Sequence, residues 1–157
     1  MEVQEHREPQ VILIRPATIF AFIKISGLLL AAAGFLFLAW RYLPGLIWIS
    51  VGILLFAAYR FTFIRRIEYR ITPEYLQVST GIFFKQVAIV ELFRVKDYML
   101  TQPFMLQFFK LMDLHLKTTD PENPDIWLRG IPLSHLVETL RERILETRRH
   151  NHIYEIN

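Results

Sequence analysis

The chain has 157 residues, no cysteine, a formal net charge of +3 at pH 7 and a sequence pI near 9.3. The missing cysteine excludes disulfides, thiolate nucleophiles and cysteine-based metal sites. The basic excess does not mark a nucleic-acid binder: residues 65–157 hold 13 Lys and Arg against 12 Asp and Glu, and the surplus flanks one long apolar stretch.

Residues 1–16 are short and charged. Within them, Val11-Ile12-Leu13-Ile14 suits either the membrane interface or a strand. Residues 17–64 then form two apolar runs, Ile19 to Trp40 and Leu46 to Ile64, broken by Arg41-Tyr42-Leu43-Pro44-Gly45. Each run is close to the roughly 20 residues that a helix needs to cross a bilayer, so the pattern predicts a two-helix transmembrane hairpin. The apolar run continues past Ala31-Ala32-Ala33 and the residues before it are mixed in charge, which argues against a cleaved leader. Arg7, Arg15, Lys24, Arg60, Arg65, Arg66 and Arg70 cluster on one side and Arg41 stands alone on the other, so both termini are expected to be cytoplasmic. Trp40, Tyr42 and Trp48 suit the far interface. Gly27, Ala31 and Gly34 on one helix, and Gly45 and Gly52 on the other, suit close packing within the hairpin or between copies.

From residue 65 the period changes to two. Ile67, Tyr69 and Ile71 alternate with Glu68 and Arg70, and Leu76, Val78 and Thr80 alternate with Gln77 and Ser79. Further strands are expected over Phe84–Glu91, Val95–Gln102, Asp113–Thr118 and Ile126–Arg129, the last closed by Gly130. Thr72-Pro73-Glu74, between the first two of these strands, is a short acidic turn. Leu133, Leu136, Val137, Leu140 and Ile144 form the apolar stripe of a final helix ending near Arg148-Arg149. Strands followed by one amphipathic helix suggest a small curved sheet or partly open barrel plugged by that helix.

Tyr69-Arg70-Ile71-Thr72-Pro73-Glu74-Tyr75-Leu76, Gly81-Ile82-Phe83, Phe108-Phe109, Asp113-Leu114-His115-Leu116-Lys117-Thr118 and Gly130-Ile131 follow one another in an order that resembles the bacterial pleckstrin-homology-like membrane proteins of the YdbS type. Lys110-Leu111-Met112 departs from that pattern, where a glycine is common. The resemblance implies a mainly-β PH-like barrel of about seven strands over residues 65–149 with a C-terminal capping helix, after the hairpin at 17–64 and before a tail at 150–157. It implies a membrane-anchored module and no defined reaction.

The residues themselves announce no catalytic site, cofactor site or metal site. Asp120, Glu122, Asn123 and Asp125 sit in a loop with two prolines and no glycine, unsuited to calcium. His150 and His152 lack an evident third ligand. No nucleophile elbow, phosphate-binding glycine loop or HExxH motif is present. Two surfaces remain as candidates. Arg65, Arg66 and Arg70 suit contact with an anionic membrane surface. Phe104, Met105, Leu106, Phe108 and Phe109 suit a partner interface or a dip into the membrane. The expected function is a non-enzymatic inner-membrane module for protein–protein interaction or assembly. Lipid sensing or binding is the second reading, and an enzyme without a recognisable motif the third. Membrane lipids and a protein partner or second copy are the expected partners, and no nucleic acid.

Overall fold

The computed structural model describes residues 11–150, with side chains through Arg149; Arg7, His152 and the rest of the tail lie outside the described residues. Among the described residues, seven strands and four α-helices follow in chain order. The first strand, β1 (Ile12–Ile14), precedes the helices, so the apolar pair is an insertion within the sheet-forming sequence.

Helices α1 (Thr18–Arg41) and α2 (Ile47–Arg65) are antiparallel partners joined by a 3-10 turn at Pro44–Leu46. At 1.5 Å per residue they extend about 36 and 28 Å. Both are long and apolar enough to cross a membrane, and most of their large side chains, Leu30, Phe37, Leu55 and Phe56 among them, are exposed. Their seam is built from Ala21, Ile25, Ala32 and Ala39 facing Ser50, Ala57 and Ile64. Ser50 Oγ, in the first turn of α2, donates to the Ala32 carbonyl at 2.8 Å and ties the two helices together. The glycines expected in this seam lie outside it: Gly27, Gly34, Gly45 and Gly52 are all exposed, with open space where a Cβ would stand. Alanine already permits the close approach, and the heptad spacing of the seam selects a different face.

The strands form two antiparallel sheets. One has the order β1-β2-β3-β4, with β2 (Glu68–Ile71), β3 (Tyr75–Thr80) and β4 (Gln86–Glu91). The other has the order β5-β6-β7, with β5 (Val95–Thr101), β6 (Leu111–Thr118) and β7 (Asp125–Pro132). The count agrees with a PH-like fold, and the ladders divide at a 3-10 turn over Leu92–Arg94. The turn Thr72-Pro73-Glu74 falls between β2 and β3, not between the first two strands of the sheet; β1 and β2 are joined by the helical pair. Residues 65–149 therefore lack one edge strand of their own sheet.

Several boundaries differ from the periodicity, β6 among them, which begins at Leu111 rather than Asp113. Strand β4 starts at Gln86, because Gly81 (φ +110°) opens a turn that throws Phe83 and Phe84 outward. Strand β7 runs on through Gly130 (φ +63°), where Arg129 and Gly130 oppose the single residue Asp113 in a bulge. The Gly130 N–H donates to Asp113 Oδ1 at 2.7 Å and holds that bulge in place. Leu133 precedes helix α4 (Leu136–His150) and is exposed, whereas Leu136, Leu140 and Ile144 are buried.

One core takes Tyr69, Ile71, Leu76 and Val90 from the first sheet, Leu114, Leu116, Ile126 and Leu128 from the second, and Leu136, Leu140 and Ile144 from α4. Arg143 Nη1 donates to the Ile71 carbonyl at 3.0 Å and Arg148 Nη2 to the Val95 carbonyl at 2.6 Å, so α4 grips both sheets.

Tyr69 reaches across this core, and its hydroxyl oxygen accepts the Arg129 N–H at 3.0 Å. Burial pushes its phenol above the usual 10.0, nearby Asp113 adds to the shift, and the Arg129 N–H opposes it. A phenol whose folded value is raised stabilises the fold below pH 10 and loses that contribution as pH rises through the folded value. Wild type is therefore expected to exceed Tyr69→Phe by about 1 kcal/mol near neutrality, with the gap narrowing above pH 10. Thermal unfolding of both proteins from pH 8 to 11 checks this; a pH-independent gap refutes the assignment.

Candidate functional site

Several of the candidate residues lie where the helical pair meets the sheets. A second apolar cluster joins them: Phe20 and Ala21 of α1, Ile64 of α2, Leu106 of α3 (Phe104–Phe108) and Leu111 of β6, with Ala17 and Phe61 packed against it. The Ala17 N–H donates to the Gly130 carbonyl at 2.9 Å, so backbone as well as side chains binds the helices to the second sheet. A Cβ placed on Gly130 would overlap the Phe20 ring.

Within α3 the expected interface residues divide. Leu106 is 4 % exposed and belongs to the junction, so it offers nothing to a partner. Phe104 and Phe108, 79 % and 75 % exposed, point outward with Met105. Phe109 is partly covered and meets Phe108 edge-on, with ring centroids 5.1 Å apart. Pro103 starts this one-turn helix and Lys110 (φ 54°) ends it, which turns the chain back into β6. Lys110 occupies the left-handed position where the sequence lacks the glycine, and its N–H donates to the Gln107 carbonyl at 3.0 Å.

The basic candidates also divide. Arg65 and Arg66 line a cleft of about 370 Å³ at the foot of the helical pair, together with Arg15 and Lys85. Arg70 does not line it and lies 3.5 Å from Glu68 on β2. Glu68, the one carboxylate of the cleft, is also 3.1 Å from Arg15 Nη2. Arg65, Arg66 and Lys85 pair with no carboxylate among the described residues. The sequence reading missed Arg15 and Lys85 as members of this site. In the sequence Arg15 stands only as one of the charges flanking the apolar stretch, and Lys85 is a single charge in a turn, 20 positions from Arg65.

Elsewhere, His115 Nε2 lies 2.7 Å from Asp125 Oδ1 and its ring stacks on Trp127 with centroids 4.0 Å apart, while the Arg129 guanidinium lies 5.1 Å from the centroid of the same Trp127 ring. Asp120 is engaged by the Glu122 and Asn123 nitrogens and by Arg94, which accounts for the acidic loop as a folded turn. Among the described residues no three His, Asp or Glu side chains are grouped to hold a metal ion.

No curated protein and no solved structure matches this chain. The family model of the bacterial PH domain matches residues 11–148, a span that begins at β1, takes in both apolar helices and runs into the last turn of α4. PH-like domains are typically binding modules rather than catalysts. With its four- and three-stranded sheets, its C-terminal helix and a match over nearly its whole length, the chain belongs to the bacterial PH domain family.

Proposed function

We propose that the chain is a non-enzymatic module of the bacterial inner membrane, close to the YdbS type, whose helical pair spans the bilayer and whose sheets lie on the cytoplasmic face. Its role is to present a PH-like binding surface at a fixed attitude to the membrane, for a protein partner or for assembly with further copies. The buried cluster of Phe20, Ala21, Ile64, Leu106 and Leu111 carries this reading, because it makes anchor and domain one packed unit. The exposed glycines Gly27, Gly34 and Gly52 support the assembly branch, since small residues on a lipid-facing helix surface permit another helix to approach.

The natural absence of cysteine makes the topology testable with single thiols. A cysteine at Leu43 is expected to react with an impermeant maleimide from the periplasmic side, and one at Glu122 only after the inner membrane is opened. The reverse pattern overturns the orientation. Purification of the full chain in mild detergent after crosslinking in cells is expected to yield a partner or a second copy. Monomer alone refutes the interaction role.

A second reading, contact with the bilayer surface itself, is favoured by Phe104, Met105 and Phe108, which stay exposed beside a helix whose Leu106 is fixed to the foot of the anchor. An environment-sensitive dye on Phe108→Cys in liposomes is expected to be quenched by lipid-borne quenchers, whereas the same dye at Glu122→Cys stays accessible to water. Equal quenching at both positions sinks this reading.

A further inference from the structure

The cleft at the foot of the helices combines three features. Its charge is strongly unbalanced: Arg15, Arg65, Arg66 and Lys85 face a single carboxylate, Glu68, and that carboxylate is already bridged by Arg15 and approached by Arg70. It also holds hydroxyl donors. Ser79 Oγ accepts from Gln77 Nε2 at 3.3 Å, which leaves its own proton free to donate, and Thr80 stands beside it. Its position is set by the anchor: Arg65 is the last residue of α2, and Arg15 lies three residues before α1 begins. A helix of 19 residues extends about 28 Å, close to the roughly 30 Å of a hydrocarbon core, which sets Arg65 and Arg66 at headgroup depth.

The turn that closes the cleft adds an independent observation. Gly81 and Lys85 line it, and between them Phe83 and Phe84 are 83 % and 88 % exposed. Gly81 enforces that shape, since its φ is +110° and a Cβ there would overlap the Phe84 carbonyl. Two adjacent phenylalanines in water have no structural return, but beside a cation cluster at the membrane surface they are suited to the acyl boundary.

We propose that this cleft binds the phosphate of an anionic phospholipid in the cytoplasmic leaflet, with Phe83 and Phe84 inserted next to it. Arg65, Arg66 and Lys85 supply the charge, Ser79 and Thr80 the hydroxyl donors, and the lipid phosphate competes with Glu68 for Arg15. This rests on the membrane-spanning reading of the helical pair.

The test uses the full chain in mild detergent, with bound lipids counted by native mass spectrometry after titration with phosphatidylglycerol, phosphatidylcholine or inorganic phosphate. Wild type is expected to retain one phosphatidylglycerol in preference to phosphatidylcholine. Lys85→Gln, and Arg65→Gln with Arg66→Gln, are expected to weaken it about fivefold for each cation removed. Arg70→Gln, outside the cleft, leaves it unchanged. Equal retention of the two lipids, or undiminished binding by the cleft variants, overturns the proposal. Displacement of the lipid by millimolar inorganic phosphate assigns the cleft to a soluble anion and overturns the lipid source. Carbonate extraction of the same cells separates the two readings. A wild-type chain released by carbonate refutes the membrane anchor, whereas a chain that stays in the pellet without preferring phosphatidylglycerol refutes the cleft alone.

Discussion

Gly130→Ala is expected to destabilise the protein by about 2–5 kcal/mol. Two separate costs combine. The residue sits at φ +63°, a left-handed conformation that costs an L-residue roughly 1–2 kcal/mol. Its new methyl group would also overlap the Phe20 ring, and overpacking of this kind costs typically 1–3 kcal/mol. Removing the ring isolates the second part. Phe20→Ala alone should be costly, but in the Gly130→Ala background it should cost less because it also removes the overlap, so that the two changes together cost less than their sum. Thermal unfolding of the four proteins in mild detergent measures this coupling. Strict additivity would mean that the helices and the second sheet do not share a packed junction.

Leu106→Ala should cost about 2–5 kcal/mol, the usual range for truncating a buried leucine, while Met105→Ala one residue earlier stays within about 0.5 kcal/mol. The contrast follows from burial: Leu106 packs with Phe20 and Ile64 of the helical pair and Leu111 of β6, and Met105 points outward. The consequence for function is a loosened domain. Hydrogen exchange is expected to rise at the start of β6 and at the first turn of α1 together, since both lose the same contact. Exchange confined to α3 itself would show that the one-turn helix is local decoration and that the attitude of the domain is set elsewhere.

Both variants act at the junction, and the junction is where the sequence was least informative. Its members are Phe20, Ala21, Ile64, Leu106, Leu111 and Gly130, drawn from five separate elements. Each has an ordinary local reading: an apolar residue in an apolar run, or a glycine where a strand ends. No periodicity links position 20 to position 106 or 130, so the contact is invisible until the chain is folded. The interface segment shows the same limit. Its apolar character was legible, yet only packing separates Leu106, which is consumed by the fold, from Phe104, Met105 and Phe108, which remain exposed.

Periodicity did reveal the elements whose environment is uniform along their length. The two helices stand out because every face is apolar, and α4 because Leu136, Leu140 and Ile144 recur on one face. The alternation of Tyr69 and Ile71 with Glu68 and Arg70 is a half-buried strand in plain view. Strand β1 is less visible: Ile12, Leu13 and Ile14 carry no alternation, and their partners Ile71, Arg70 and Tyr69 stand more than 50 residues away.

The local pattern of the chain is thus enough to establish two apolar helices of bilayer length, antiparallel strands, a closing amphipathic helix and the resemblance to bacterial PH domains. Local hydrophobic spacing determines those features, and spacing is a property of the sequence itself. The tertiary structure alone decided that the helical pair is inserted between β1 and β2, that the helical pair and the sheets share one packed junction, and that Arg15, Arg65, Arg66 and Lys85 share a cleft. Those facts depend on contacts between residues far apart in the chain, brought together where the sheets pack against the ends of the helices.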